Sequence, residues 1–177
     1  LVSTRARQRT LERWQAVAPA PVVAPIHELV RKQAELGSER PALVGTDVVV
    51  SYGELVRRAR KVARGLVGRH AIATEDVVAV YCERTPSDIV ALLGVLEAGA
   101  VYLPLDPDLP DERLRTMLDT ARAKLVLGPA SLSERLGRVP VAIETFDTLG
   151  DETALPEIRR NHAAYIIFTS GSTGQPK

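Results

Sequence analysis

Along the chain, apolar residues first recur at helical spacing and then collapse into short continuous runs. Ile26, Leu29, Val30, Gln33 and Leu36 fall close to one helical face, with Pro25 suited to the first turn and Gly37 to the stop. Leu43-Val44 and Val48 to Val50 flank Gly45-Thr46-Asp47, which predicts a tight β-hairpin. Ser51-Tyr52-Gly53-Glu54 has the form of a capping box and opens a second helix, whose stripe is Leu55, Val56, Ala59, Val62, Ala63, Leu66 and Val67. Arg57, Arg58, Arg60, Lys61 and Arg64 lie mostly off that stripe. With no interleaved aromatics for base stacking, they read as a solvated face rather than a nucleic-acid surface.

From Val77 the pattern becomes strand then helix, repeated. Val77–Tyr81 is apolar throughout, as expected of a buried parallel strand. Thr85-Pro86-Ser87-Asp88 starts a helix that is apolar almost all round from Ile89 to Leu96 and stops at Gly99. Ala100–Leu103 is the next strand, and Pro104, Pro107 and Pro110 predict a rigid loop. Leu114, Met117, Leu118 and Ala121 mark an amphipathic helix, and Leu125–Leu127 and Val141–Ile143 two further strands. Ala163–Phe168 is the last strand, and it runs into Thr169-Ser170-Gly171-Ser172-Thr173-Gly174-Gln175-Pro176-Lys177. Alternation of this kind predicts an α/β fold built from right-handed parallel βαβ units.

The two ends differ from the middle. The stretch through about Pro25 sets Arg5, Arg7, Arg9 and Arg13 against a single acid, Glu12, adds the short apolar set Leu11, Trp14 and Val17, and then Pro19, Pro21 and Pro25. A short helix followed by a stiff linker is expected there. The chain begins at Leu1 and stops at Lys177 inside a Gly-rich loop, so it is expected to be a piece of a longer polypeptide.

Composition narrows the picture without redirecting it. Aromatics are only 4% of the chain, so aliphatic side chains must fill the core. Twenty-three basic residues against 22 acidic ones leave a net charge of +1, which gives no electrostatic reason to expect nucleic acid or a membrane surface as partner. No apolar run reaches the roughly 18 residues of a membrane span. The single Cys82 cannot form an internal disulfide, and a cytoplasmic setting is the default expectation. Cys82 has no nearby His to activate it and reads as a packed thiol. His70 and His162 lack companions at metal-ligand spacing, so no metal site on protein ligands is expected. Asp106 and Asp108, within a Pro-rich stretch, read as turn formers rather than a catalytic pair.

The terminal loop carries the chemistry. Gly171 and Gly174 permit positive φ and close backbone approach, and successive N–H groups in such a loop form an anion-binding concavity. Thr169, Ser170, Ser172 and Thr173 add hydroxyl donors, and Lys177 adds a point charge. That donor set suits a polyphosphate. It is not a Walker A loop, because Pro176 separates the glycines from Lys177.

Thr169 to Lys177 resembles the phosphate-loop signature of the adenylate-forming enzymes, which include acyl-CoA synthetases, luciferases and the adenylation domains of nonribosomal peptide synthetases. Val50 to Leu55 is similar to the first core motif of adenylation domains, and Leu96 to Asp106 to the second. Helix capping and a strand with a Pro-rich turn account for those two segments, so the likeness there speaks to fold maintenance. His27-Glu28-Leu29, ahead of Arg40-Pro41-Ala42-Leu43, looks like the usual domain opening. Residues 1–21 resemble a condensation–adenylation linker, in which Trp14 is a packed aromatic.

The resemblance implies an incomplete fold: residues 22–177 as the N-terminal part of the large subdomain, with layered sheets flanked by helices. It implies attack of an amino-acid carboxylate on the α-phosphate of ATP, with Mg²⁺ bound through the phosphates, and then transfer of the acyl group to the phosphopantetheine thiol of a carrier domain. Thr169, Ser170, Gly171, Ser172, Thr173, Gly174 and Lys177 would hold the β- and γ-phosphates, and Lys177 would be the catalytic cation. Carrier and condensation domains of the same synthetase would be its partners. The family's adenine, ribose, Mg²⁺ and amino-acid sites and its catalytic lysine lie beyond residue 177, so the 177 residues alone are expected to be inactive and do not reveal which amino acid is used. Two alternatives stay open: a fatty acyl or aryl acid ligase, and a non-catalytic remnant acting as an interaction module.

Overall fold

The computed structural model describes residues 24–45, 48–137, 142–144, 153–159 and 161–169. The described elements begin with helix α1 (Ile26–Leu36), which Pro25 precedes at the N-cap position. Strands β1 (Pro41–Val44) and β2 (Val49–Ser51) pair antiparallel as the expected hairpin, although Thr46 and Asp47 lie outside the described residues. Helix α2 (Tyr52–Gly68) starts at Ser51, whose Oγ accepts the Glu54 N–H at 3.3 Å. The return half of the expected capping box is replaced: the Glu54 carboxylate is drawn to the Arg57 guanidinium, 2.7 Å away. The fuller cap lies one helix later, where the Asp88 carboxylate accepts the Thr85 N–H at 2.8 Å at the head of α3 (Pro86–Glu97).

A second sheet forms the centre. Strands β3 (Val77–Tyr81), β4 (Val101–Leu105), β5 (Leu125–Leu127) and β6 (Ala142–Glu144) are parallel, in the order β4-β3-β5-β6. All five residues of β3 are buried, and their alternation divides the interior into two layers. Val78 and Val80 face the side covered by α2 and α3, against which Val30 of α1 also packs. Val77, Ala79 and Tyr81 face the other side, covered by helices α4 (Asp111–Ala121) and α5 (Leu132–Leu136). The architecture is therefore a parallel sheet between two helical layers, as the strand–helix alternation predicts.

Close packing of α2 on α3 depends on Gly94. A Cβ there would sit 2.6 Å from Val62 Cγ1 and 2.9 Å from the Ala59 carbonyl oxygen. α3 is buried around most of its circumference, with only Ile89 among its large apolar residues markedly exposed. Asp88, 7% exposed, is the one buried charged side chain among the described residues, and its hydrogen bond to the cap offsets the burial.

The expected strand at 163–168 requires correction. The segment runs parallel to the outer edge of β4 but forms a single bridge, Tyr102 opposite Tyr165. Tyr102 N–H donates to the Ala164 carbonyl and its carbonyl accepts from Ile166 N–H, both at 2.9 Å. The next outward-facing position on β4 is Pro104, which the proline spacing assigns to a loop and which has no N–H to continue the ladder. Helix α5 was not expected at all. Residues 1–21, the expected linker, lie outside the described residues.

Candidate functional site at the carboxyl edge of the sheet

Because the strands are parallel, the ends of β3 and β4 lie on one edge of the sheet, and the bridge at Tyr165 brings Phe168 and Thr169 to that same edge. In open α/β sheets this carboxyl edge is where ligands bind. A depression opens there, lined by Cys82, Leu105, Asp106, Leu109, Ile167 and Phe168. Thr169, the next residue after Phe168, is exposed. Ser170, Gly171, Ser172, Thr173, Gly174 and Lys177 lie outside the described residues.

The chemistry of residues 169–177 fits a phosphate-bearing cofactor: four hydroxyls, two glycines and a terminal lysine, with no carboxylate. A divalent cation there would have to be held through the phosphate oxygens, since hard cations take oxygen ligands that this stretch supplies only as neutral groups. Among the described residues no group of three or more His, Cys, Asp or Glu side chains could hold a metal.

Cys82 sits at the end of β3. Its thiol is 3.3 Å from the Val80 carbonyl and 3.1 Å from the Tyr102 hydroxyl. Burial pushes both the Cys82 thiol and the Tyr102 phenol above their ordinary pKa values, so both stay protonated at neutral pH and the thiol is a poor nucleophile. The packed-thiol expectation agrees with this. Asp106 and Asp108 form the expected turn: Asp106 Oδ1 accepts the Asp108 N–H at 3.0 Å, and the Asp106 carbonyl accepts the Leu109 N–H at 3.1 Å. The Asp108 carboxylate also meets Arg84 at 3.7 Å, but both side chains are more than 80% exposed, so the pair adds little.

One residue at this edge was missed by sequence reasoning. Arg135 of α5 donates to Asp111 Oδ1 at 2.7 Å, to the Pro107 carbonyl at 2.9 Å, to the Leu109 carbonyl at 2.7 Å and to the Tyr81 hydroxyl. Arg115 of α4 holds the same C-terminal end of α5 by donating to the Leu136 carbonyl at 2.8 Å. A five-residue helix shows too little periodicity to be seen in sequence, so its one arginine looked like any surface charge.

The AMP-binding enzyme family matches residues 30–177, and the chain belongs to that family. Within it, the relatives are nonribosomal peptide synthetases. The chain is 42% identical over 174 residues to the AMB antimetabolite synthetase AmbB of Pseudomonas aeruginosa, covering 93% of this chain and 14% of that protein. It is 35% identical over 182 residues to the dimodular nonribosomal peptide synthase of Bacillus subtilis, covering 97% of this chain and 8% of that one. The solved structure of the nonribosomal peptide synthetase FmoA3 superposes with a TM-score of 0.77 at 27% identity, over 95% of this chain and 18% of that one. The chain thus spans a small fraction of the proteins it matches, and its fold is that of the N-terminal subdomain of adenylate-forming enzymes.

Proposed function

We propose that residues 22–177 are the opening part of an amino-acid-activating adenylation domain in a nonribosomal peptide synthetase, and that Thr169–Lys177 hold the β- and γ-phosphates of ATP. The observation that carries this reading is the position of Thr169 at the carboxyl edge of a parallel sheet, at the end of a segment bridged to β4 at Tyr165. ATP with Mg²⁺ on its phosphates supplies the α-phosphorus that a substrate carboxylate oxygen attacks, with release of pyrophosphate. The loop's backbone N–H groups and hydroxyls orient the phosphates, and Lys177 neutralises charge on the departing pyrophosphate. Residues 1–21 join this domain to a condensation domain, and a carrier domain's phosphopantetheine thiol receives the acyl group. The setting is the cytoplasm, and among the described residues no helix is long and apolar enough to cross a membrane.

The test is amino-acid-dependent exchange of pyrophosphate into ATP by the intact parent. A Lys beside a polyphosphate makes charge-assisted hydrogen bonds, each of the order of 1.5–3 kcal/mol. Lys177→Ala is therefore expected to lower the exchange rate by roughly tenfold to a hundredfold. Its effect on amino-acid binding is expected to be smaller. Gly174→Val is expected to be at least as damaging, because a β-branched residue resists positive φ and blocks backbone approach. Ser172→Ala is expected to be milder. Near-normal turnover in all three folded variants would leave the loop as a plain Gly/Ser turn and remove the phosphate-binding assignment.

A further inference from the structure

The contacts of Arg135 have a pattern that stability alone does not require. Two of its donors converge on backbone carbonyls, Pro107 at 2.9 Å and Leu109 at 2.7 Å, within one short turn. A third anchors it to Asp111 at the first turn of α4, and its guanidinium lies 5.7 Å from the Tyr81 ring centroid. Asp106 and Leu109 of the turn it grips line the same depression as Ile167 and Phe168, the residues immediately before Thr169. That turn has few restraints of its own: among the described residues Asp106 accepts only from its near neighbours Asp108 and Leu109, and Pro107 and Pro110 can donate no backbone hydrogen bond.

We propose that Arg135 is a positioning residue for the ATP-dependent step: by holding both turn carbonyls it fixes Asp106 and Leu109 in the depression they share with Ile167 and Phe168, just ahead of Thr169. This rests on the adenylation reading above. A planar guanidinium satisfies two carbonyls, a carboxylate and a hydroxyl at fixed angles, and a lysine ammonium cannot reproduce that fork. Arg135→Lys keeps the positive charge beside Asp111 and Tyr81 while giving up the grip on the turn.

The experiment has two arms, both in the intact parent. In the first, hydrogen exchange of the Asp108 and Leu109 amides is compared between wild type and Arg135→Lys. Faster exchange confined to this turn is expected, and unchanged exchange there would overturn the proposal. In the second, pyrophosphate exchange is measured against ATP and against amino acid, alongside thermal unfolding. Arg135→Lys is expected to lower kcat/KM for ATP by about tenfold, with the KM for amino acid unchanged. The control is Arg60→Met, which breaks the 3.1 Å Arg60–Glu97 pair on the opposite helical layer. It is expected to lower the unfolding temperature without that ATP-specific loss. If Arg135→Lys loses activity only in proportion to stability, as Arg60→Met does, Arg135 is structural and the proposal fails. If the wild-type parent shows no exchange with any amino acid, the adenylation reading has failed instead, and the amide arm still decides whether Arg135 holds the turn.

Discussion

His27 shows how a single side chain couples this fold to pH. It lies on α1 beside the groove that α1 makes with Glu97 and Arg60, and burial depresses its pKa below the ordinary 6.5. Glu97 and Glu28 pull the pKa back up and Arg31 lowers it further, but burial is the largest influence. A histidine kept neutral in the native state is protonated first in the unfolded chain. The stability it supports is therefore complete above about pH 6.5 and is lost as pH falls below that value. The expected outcome is a fall in the urea midpoint of this domain between about pH 7 and pH 5, and a shallower fall for His27→Gln. An identical pH slope in the two proteins would remove His27 from the account. Arg135 belongs at the same scale, since its guanidinium decides the geometry of a turn that the sequence presents only as Pro, Asp and Leu.

Among the elements, α3 shows what periodicity can and cannot reveal. Its apolar run from Ile89 to Leu96 announces a buried helix, and the helix is buried. The residue that sets how near α2 comes is Gly94, which in sequence is merely a poor helix former. Gly94→Ala drives a methyl into Val62 and the Ala59 carbonyl, which overpacks the α2–α3 contact by about 1–3 kcal/mol. A drop of several degrees in unfolding temperature is expected, whereas Ala at an open helical position would raise it. The parallel strands were legible because a strand covered on both faces must be apolar throughout, as Val77–Tyr81 is. Two features were not legible, for a shared reason. Whether Pro104 ends a strand or sits inside one depends on which side of β4 its missing N–H faces, and that is fixed by a neighbour some distance along the chain. The contacts of α5 likewise come from β3, α4 and the turn, not from its own five residues. At the candidate site, the residue types of Thr169–Lys177 suggest a phosphate loop that lies almost wholly outside the described residues, while the grip of Arg135 on the Pro107 and Leu109 carbonyls left no trace in the sequence.

At the scale of the molecule, the chain corresponds to a small part of the proteins it matches. The relatives it matches are far longer, and the resemblance puts the amino-acid pocket and the second catalytic lysine beyond residue 177. The isolated 177 residues are accordingly expected to give no amino-acid-dependent pyrophosphate exchange under conditions in which the intact parent does. Robust exchange by the isolated chain would refute that assignment of the remaining machinery. The order of the central sheet also has a temporal side. β4 is complete at residue 105, but the segment that flanks its outer edge begins only at residue 163, after β5 and β6 have been laid down on the far side. At about 5–20 residues per second of synthesis, that edge waits several seconds on the ribosome before its neighbour exists. Pro104, which limits the final pairing to one bridge, also denies a stray strand from another nascent chain a full ladder to join during that interval.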